Sequence, residues 1–396
     1  MKIFSAIYVA LLLALTVAVM FEPAKWATTI PEVLSLALLA AWSVWALLKK
    51  QELRLSAALI PLAGVILLAC LQLGFNTTVY QWPTRLSLFY WSGNFAIFFC
   101  GLQFLADPSF RDRYLRFLTY FGFGVALLST IQALTSQGKV YWFFTTKYTP
   151  EPVFGPFLYR NQYAAFMELL LPVAIYFAIT SRKRRFVFLA IAAVMYGSVI
   201  FCASRAGFLL CTVELAAVPL IAFRRHGGFS RAQLINGGLA LIALLLWLAI
   251  PAGPDVLIRK FGSADPYTIR REFNASSLRM IQARPVLGFG LGNWPTAYPG
   301  FATFDDGLFA NQAHNDWAQW AVEGGIPLFI LMLGLGLWGA RAGFRTGWGF
   351  GIPIVFVHCF SDYPIQRPGV AVLFFLILAA QANAGRLTRS GSRESR

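Results

Sequence analysis

Apolar runs separated by short hydrophilic breaks recur along the whole chain. The runs lie at about residues 3–21, 31–48, 56–74, 88–106, 114–134, 161–180, 186–203, 206–223, 235–250, 326–341, 347–360 and 366–384. Runs of roughly 18 apolar residues can cross a bilayer core of about 30 Å as helices. Open sheets are excluded at that depth, because each unpaired backbone group costs several kcal/mol. The pattern therefore predicts an all-α integral membrane protein with about twelve transmembrane helices.

Charged residues are scarce, and their placement indicates a topology. The chain carries 33 Lys and Arg against 17 Asp and Glu, a net charge of +16, yet only 13% of its residues are charged. Twenty of the cations fall in alternate breaks or at the termini, as the positive-inside rule expects. We therefore expect both termini in the cytoplasm and no nucleic-acid partner.

The predicted helices divide the chain into four parts. The first run lacks a small-x-small cleavage site before Glu22-Pro23, which indicates an uncleaved helix rather than a signal peptide. Transmembrane helices 1–9 occupy residues 1–250, and a helical loop on the non-cytoplasmic side, with the candidate chemistry, occupies 251–325. Helices 10–12 occupy 326–385, and 386–396 form a cytoplasmic tail. The five cysteines lack metal or disulfide spacing and are expected to be buried thiols.

Several arginines lie on the side opposite to the cationic clusters. Arg205 sits between two apolar runs in Ala203-Ser-Arg-Ala-Gly207, and Arg160 directly precedes the run at 161–180. Arg270 and Arg271 lie in the long loop. Long loops translocate whatever their charge and single arginines anchor helix ends, so these residues could have no further role. Alternatively they bind an anion, since the planar guanidinium donates two parallel hydrogen bonds to phosphate.

His314 is the strongest candidate for a proton acceptor, because histidine titrates near neutral pH. It could instead be structural, because Asn311, Asn315 and Asp316 beside it can cap the start of a helix. A helix from Ala313 to Ala340 would be about 42 Å long against a core of about 30 Å. It must therefore protrude or break, and Gly324-Gly325-Ile-Pro327 is the place for a break. His314 is then expected at or outside the membrane surface.

The remaining polar features are weaker. Gly288-Phe-Gly-Leu-Gly292 has no preceding strand, so it favours a tight turn over nucleotide binding. His358 and Asp362 flank a short break, where they either pair structurally or help to shape the face that holds His314. Asp305-Asp306 is the pair on which a cation-dependent transferase could be built. No metal-ligand spacing is present, and the sequence predicts neither a metal site nor a cofactor.

Five segments together resemble the O-antigen ligase and O-antigen polymerase superfamily. They are Tyr159–Ala165, Ala203–Gly207, Pro285–Asn293, Ala313–Pro327 and Val357–Gln366, and they follow the family order over roughly residues 155–370. The resemblance implies a GT-C-like inner-membrane glycosyltransferase that works on the periplasmic face. Such enzymes move a glycan from an undecaprenyl-diphosphate carrier to an acceptor, without a nucleotide sugar and generally without metal.

Carried over by position, the resemblance implies that His314 is the base on the acceptor hydroxyl. Arg205 and Arg270, or the adjacent Arg271, would bind the diphosphate, and Arg160 is a further candidate. The family often has an aromatic residue shortly after that second arginine, where this chain has Asn274. The expected partners are an undecaprenyl-diphosphate-linked glycan, lipid A-core or another acceptor, and membrane lipids.

Four other functions compete with a ligase. O-antigen polymerases and protein O-oligosaccharyltransferases share these motifs, and only the compact chain with its modest loop favours the ligase. A small-anion transporter would place ionisable residues near the bilayer midplane, in paired broken helices; here the candidates cluster on one face and no internal repeat is present. A scaffold protein would not need cations on the translocated side.

Overall fold

A computed structural model describes residues 1–145, 153–181, 183–226, 258, 268–303, 307 and 309–390 of the chain. The regular structure of these residues is helical. These residues contain two isolated bridges and no strand. The α-helices are α1 (Lys2–Ala18), α2 (Trp26–Leu48), α3 (Leu59–Gly74), α4 (Gln81–Phe104), α5 (Pro108–Thr135), α6 (Arg160–Thr180), α7 (Arg185–Cys202), α8 (Arg205–His226), α9 (Thr268–Ala283), α10 (Trp294–Ala297), α11 (Asp316–Thr346), α12 (Gly351–His358) and α13 (Pro368–Ser390).

Six of the described helices are long and apolar enough to cross a membrane. They are α2, α5, α6, α7, the Arg205–Arg224 part of α8, and α11. Shorter apolar helices are α1, α3 and the Pro368–Ala384 part of α13. The protein is therefore an all-α, multi-pass membrane protein, as its apolar runs predict. The run at 235–250, Asp305, Asp306 and residues 391–396 lie outside the described residues, so the count of twelve spans stays a prediction.

The apolar run at 347–360 is not a full-length helix. It forms α12, which has eight residues and is about 12 Å long, against a core of about 30 Å. A Cβ atom added at Gly351 would lie 2.2 Å from the Glu168 carbonyl oxygen. The start of α12 thus packs directly against the α6 backbone, and lipid does not surround it.

Helix α6 lies in the interior of the bundle. Every residue from Gln162 to Ile175 is buried, and residues 370–380 of α13 are buried in the same core. A helix that is apolar on all sides is expected inside a bundle rather than at its surface. The polar groups that α6 carries, Asn161 and Glu168 among them, are therefore held in a tightly packed setting.

Helix α11 breaks where its glycines predict. Gly325 has φ 67° and ψ −167°, a combination that essentially only glycine adopts. A Cβ atom there would lie 2.3 Å from the Val286 carbonyl oxygen, and the Ile326 amide donates to the Pro285 carbonyl at 2.8 Å. The break lets the glycine-rich turn, which has positive φ at Gly288, cross close to the helix.

Replacing Gly325 by Ala is expected to lower the stability of the protein. A non-glycine residue in this region of φ and ψ costs of order 1–3 kcal/mol, and the added Cβ also meets the Val286 oxygen. Gly334→Ala is the matched control, because it lies in the same helix with nothing within 4 Å of its Cβ position. Thermal unfolding in one detergent should give a lower midpoint for Gly325→Ala alone; equal midpoints would contradict the close approach.

Candidate active site

His314 lies two residues before the start of α11. The next residue, Asn315, is the N-cap, and its side chain accepts a hydrogen bond from the Ala318 amide at 3.1 Å, as expected for a capping residue. The Asn315 amide also donates to Asn274 of α9 at 3.0 Å. His314 itself has φ 50°, a left-handed conformation in which histidine is more frequent than most residues. Cap and neighbouring helix together fix the backbone at this point.

The imidazole of His314 is held on three sides. Its Nδ1 lies 3.4 Å from Oδ1 of Asp362, an ion-pair distance that is longer than a well-formed hydrogen bond. The Phe273 ring lies nearly parallel to it, with centroids 6.2 Å apart, and the Tyr363 ring meets it edge-on at 5.0 Å. The His314 side chain is 25% exposed and that of Asp362 only 5%. An accessible histidine is thus backed by a buried carboxylate.

Asp362 joins His314 to two further helices. Its Oδ2 accepts a short hydrogen bond from the Asn161 side chain on α6. The Asn161 amide oxygen in turn accepts from the Ser204 hydroxyl at 2.8 Å. Ser204 precedes α8, and its hydroxyl accepts from the Gly207 amide at 3.1 Å. Together with the contact between Asp362 and His314, this hydrogen-bonded chain brings four of the five sequence motifs to one end of the bundle, which we call the site end.

The candidate arginines differ in their relation to this network. Arg160 and Arg205 are the first residues of α6 and α8 and directly adjoin Asn161 and Ser204. Both are partly buried. Arg270, in the first turn of α9, is close enough to Asp362 for its charge to act on that carboxylate. The neighbouring Arg271 is exposed. Three of the four arginines are therefore placed around the Asp362 network.

The charges around Asp362 keep it ionised in spite of its burial. Burial raises the pKa of this carboxyl, but the contact with His314 and the charges of His314, His358 and Arg270 outweigh it, lowering the pKa to about 2. The carboxylate is therefore negative across the physiological range. A fixed negative charge beside Nδ1 orients the imidazole.

A second polar network holds the first turns of α11. The Asp316 carboxylate accepts from the Gln366 side chain at 2.6 Å, and the Asp316 amide donates to the Cys359 carbonyl at 2.8 Å. Farther along the helix, Glu323 accepts from the Gly292 amide at 2.9 Å. These bonds tie α11 to the segment that carries Asp362 and to the glycine-rich turn, so that His314 and Asp362 are positioned by the same contacts.

Sequence reasoning left several of these residues without a role. Asp362 was expected only to pair structurally or to shape the same face, and Asn161, Phe273 and Tyr363 had no assigned part. All except Phe273 lie in the quoted motifs, so the motifs pointed to these residues but not to the contacts between them. Phe273 places an aromatic ring beside His314 although Asn274 occupies the position where the family often has one.

Metal ligands do not cluster in the part of the chain that the structure describes. Within it, no group of three or more His, Cys, Asp or Glu side chains could hold a metal ion. Asp305 and Asp306, the pair that could support a cation-dependent reaction, lie outside the described residues.

The lowered pKa of Asp362 predicts a pH-dependent contribution to stability. A carboxyl whose pKa falls from 3.8 unfolded to about 2 folded stabilises the fold above pH 4. It loses that contribution as the pH falls from about 4 to about 2, by roughly 2–3 kcal/mol at most. Thermal unfolding at pH 6 and pH 3 should show a smaller loss for Asp362→Asn than for the wild type. An equal loss in both proteins would show that Asp362 is not held as a stabilised carboxylate.

The family comparison agrees with the sequence motifs. The family model for O-antigen ligase matches residues 190–333, a span that contains Arg205, Arg270 and His314 but neither Arg160 nor Asp362. No curated protein matches the chain. The match supports the resemblance that the motifs indicate: over residues 190–333, less than half of its length, the chain is similar to the O-antigen ligase family.

Proposed function

We propose that the protein is a ligase-type glycosyltransferase that moves a glycan from undecaprenyl diphosphate to lipid A-core on the periplasmic face of the inner membrane. One observation carries the proposal: His314 pairs with the buried Asp362 at the end of the bundle where α6 and α8 begin with Arg160 and Arg205. Glycosyl transfer from a diphosphate needs both a proton acceptor and cations for the leaving group, and this end of the bundle offers both.

In the proposed reaction His314 is the general base. Asp362 faces Nδ1, which leaves Nε2, on the opposite side of the ring, to accept the proton of the acceptor hydroxyl. As that proton leaves, the hydroxyl oxygen bonds to the anomeric carbon of the glycan. The Asp362 carboxylate stabilises the imidazolium that forms, and positioned base catalysis of this kind contributes roughly 10²–10⁴-fold to the rate.

The arginines serve the leaving group. As the new bond forms, the bond between the anomeric carbon and the diphosphate oxygen breaks, and its electron pair stays on that oxygen. Arg205, Arg160 and Arg270 would stabilise the developing charge from fixed positions in a poorly solvated site. Arg270 is preferred to Arg271 because its charge reaches Asp362. Since the arginines supply the positive charge, the proposed reaction needs neither a metal ion nor a cofactor.

The opposite end of the bundle supports the proposed orientation. Lys2 near the start of α1 and Asn383 in α13 line one cavity together with Arg54 and Asp107. The first and last helices therefore meet at one end, where Lys2 and Arg54 belong to the cationic clusters. The positive-inside rule would place that end in the cytoplasm. The site end and the 251–325 loop would then face the periplasm.

The proposal is tested by transfer in vitro. Purified protein would be incubated with an undecaprenyl-diphosphate-linked glycan and lipid A-core, in the presence of a chelator. We expect product from the wild type, a loss of roughly 10²–10⁴-fold in His314→Ala, and a loss of about 10²-fold or more in Arg205→Ala and Arg270→Ala. Parallel reactions would offer a second lipid-linked glycan or a peptide in place of lipid A-core.

Arg284→Ala is the matched control for the arginine variants. Arg284 directly follows α9, about 20 Å from Arg270 along the helix axis, and its guanidinium stacks on the Phe289 ring. We expect this variant to keep the wild-type rate. Equal product from the wild type and His314→Ala would reject the site. Product with a glycan or peptide acceptor alone would indicate a polymerase or a protein glycosyltransferase.

A further inference from the structure

A second histidine–carboxylate pair lies behind the first. The Nδ1 of His358, at the end of α12, lies 2.8 Å and 3.0 Å from the two carboxylate oxygens of Glu168 on α6. Both side chains are fully buried. Ionisable groups inside a membrane bundle are costly unless they are well paired, and they commonly mark function. Nothing in the proposed reaction uses this pair directly.

The two pairs connect the same two segments of the chain. On α6, Asn161 and Glu168 are seven residues apart, which places them on one face of the helix about 10 Å apart. On the other segment, His358 and Asp362 lie on successive turns, and the Asp362 amide donates to the His358 carbonyl at 3.1 Å. Asn161 bonds to Asp362 and Glu168 bonds to His358. Helix α6 thus holds the 358–362 turn at two levels.

We propose that Glu168 and His358 are positioning residues for the general base. The Asp316 amide ties this turn to α11 through the Cys359 carbonyl, but without Glu168 its only side-chain hydrogen bond to α6 among those described here would be the one from Asn161. The second contact fixes the orientation of the 358–362 turn relative to α6 and hence the Asp362 carboxylate. Asp362 already stands 3.4 Å from the His314 ring nitrogen, so a small displacement would lose the contact. A misplacement of about 1 Å can cost roughly 10²-fold in rate. The inference rests on the proposed function of His314.

Glu214 provides a matched control for Glu168. It is fully buried on the neighbouring helix α8 and is close enough to Glu168 for their charges to interact. Its two carboxylate oxygens have no hydrogen-bond partner among the described residues. It therefore shares the burial and the surroundings of Glu168 without the bond to His358.

The first arm of the test is a double-mutant cycle in which kcat is measured. We expect Glu168→Gln to lower kcat about 10-fold or more, with the KM of both substrates nearly unchanged, while Glu214→Gln keeps the wild-type kcat. In the Asp362→Asn background, Glu168→Gln should add almost nothing, because residues that act through one another are not additive. A purely structural role would multiply the two losses. His358→Gln carries the same expectations if Glu168→Gln fails to fold.

The second arm does not depend on activity. Diethyl pyrocarbonate modifies accessible neutral histidines, and mass spectrometry of the peptide that contains His314 gives its modification rate. We expect Glu168→Gln to raise this rate several-fold, Glu214→Gln to leave it unchanged, and Glu168→Gln to have no effect in the Asp362→Asn background.

The two arms separate the inference from the proposed function. If the wild type transfers glycan but Glu168→Gln and Glu214→Gln lose kcat equally, or neither loses it, the positioning role is overturned and the function stands. Losses that multiply in the Asp362→Asn background overturn it as well. If the wild type transfers glycan to no acceptor, the function fails and the labelling cycle alone decides: an unchanged His314 rate in Glu168→Gln overturns the inference.

Discussion

An ionised carboxylate can persist inside a helix bundle only where donors and cations surround it, and Asp362 meets this condition with groups from distant parts of the chain. Asn161 donates from α6, His314 faces it from the start of α11, and the charge of Arg270 reaches it from α9. Removing one partner would leave a buried charge partly uncompensated, which is expensive in a medium of low polarity. The need to satisfy one carboxylate therefore specifies how three helix ends assemble.

The same requirement acts on the backbone at the break in α11. A helix that breaks at Gly325 leaves carbonyls of the preceding turn without their usual donors, and buried carbonyls need new ones. The glycine-rich turn supplies them: the amides of Phe289 and Gly290 donate to the carbonyls of Val322 and Glu323, each at 2.9 Å. Gly288 must be a glycine for this approach, because a Cβ atom there would lie 2.4 Å from the Val322 oxygen.

Local sequence signals predicted the helices better than the contacts between them. Apolar runs predicted most of the described helices, because crossing a bilayer requires a long apolar segment whatever lies beside it. A break within Gly324–Pro327 followed from residue-specific backbone chemistry, which also offered Asn315 as one of three capping candidates. The short length of α12 did not, since it depends on the contact of Gly351 with the α6 backbone, which hydropathy cannot reveal.

For the site, the sequence singled out individual residues but not their geometry. His314 and the arginines could be proposed from their chemistry and from the motifs around them. The contact between Asp362 and His314 could not be predicted, because the two residues lie 48 positions apart. Whether they meet depends on how the intervening helices α11 and α12 pack. The contact between Asn161 and Asp362 could not be predicted for the same reason, because 201 positions separate the two residues. The role of Asn161 follows from the way α6 packs against the turn after α12.

The helix arrangement also affects the electrostatic potential that an anion would meet at the site end. Helices α6 and α8 begin beside the Asp362 network, and α11 begins two residues after His314. Each helix N-terminus carries roughly half a positive charge, although Ser204 and Asn315 already accept from one amide each. Positive potential fixed in the scaffold needs no reorganisation when a diphosphate leaves, which is the condition for effective electrostatic catalysis.

Because α6 carries Arg160 and also holds Asp362, the groups that would stabilise the leaving group and those that would orient the base share one rigid element. A displacement of α6 would then disturb both halves of the proposed reaction together, which is a physical reason for a second contact between α6 and the 358–362 turn at Glu168.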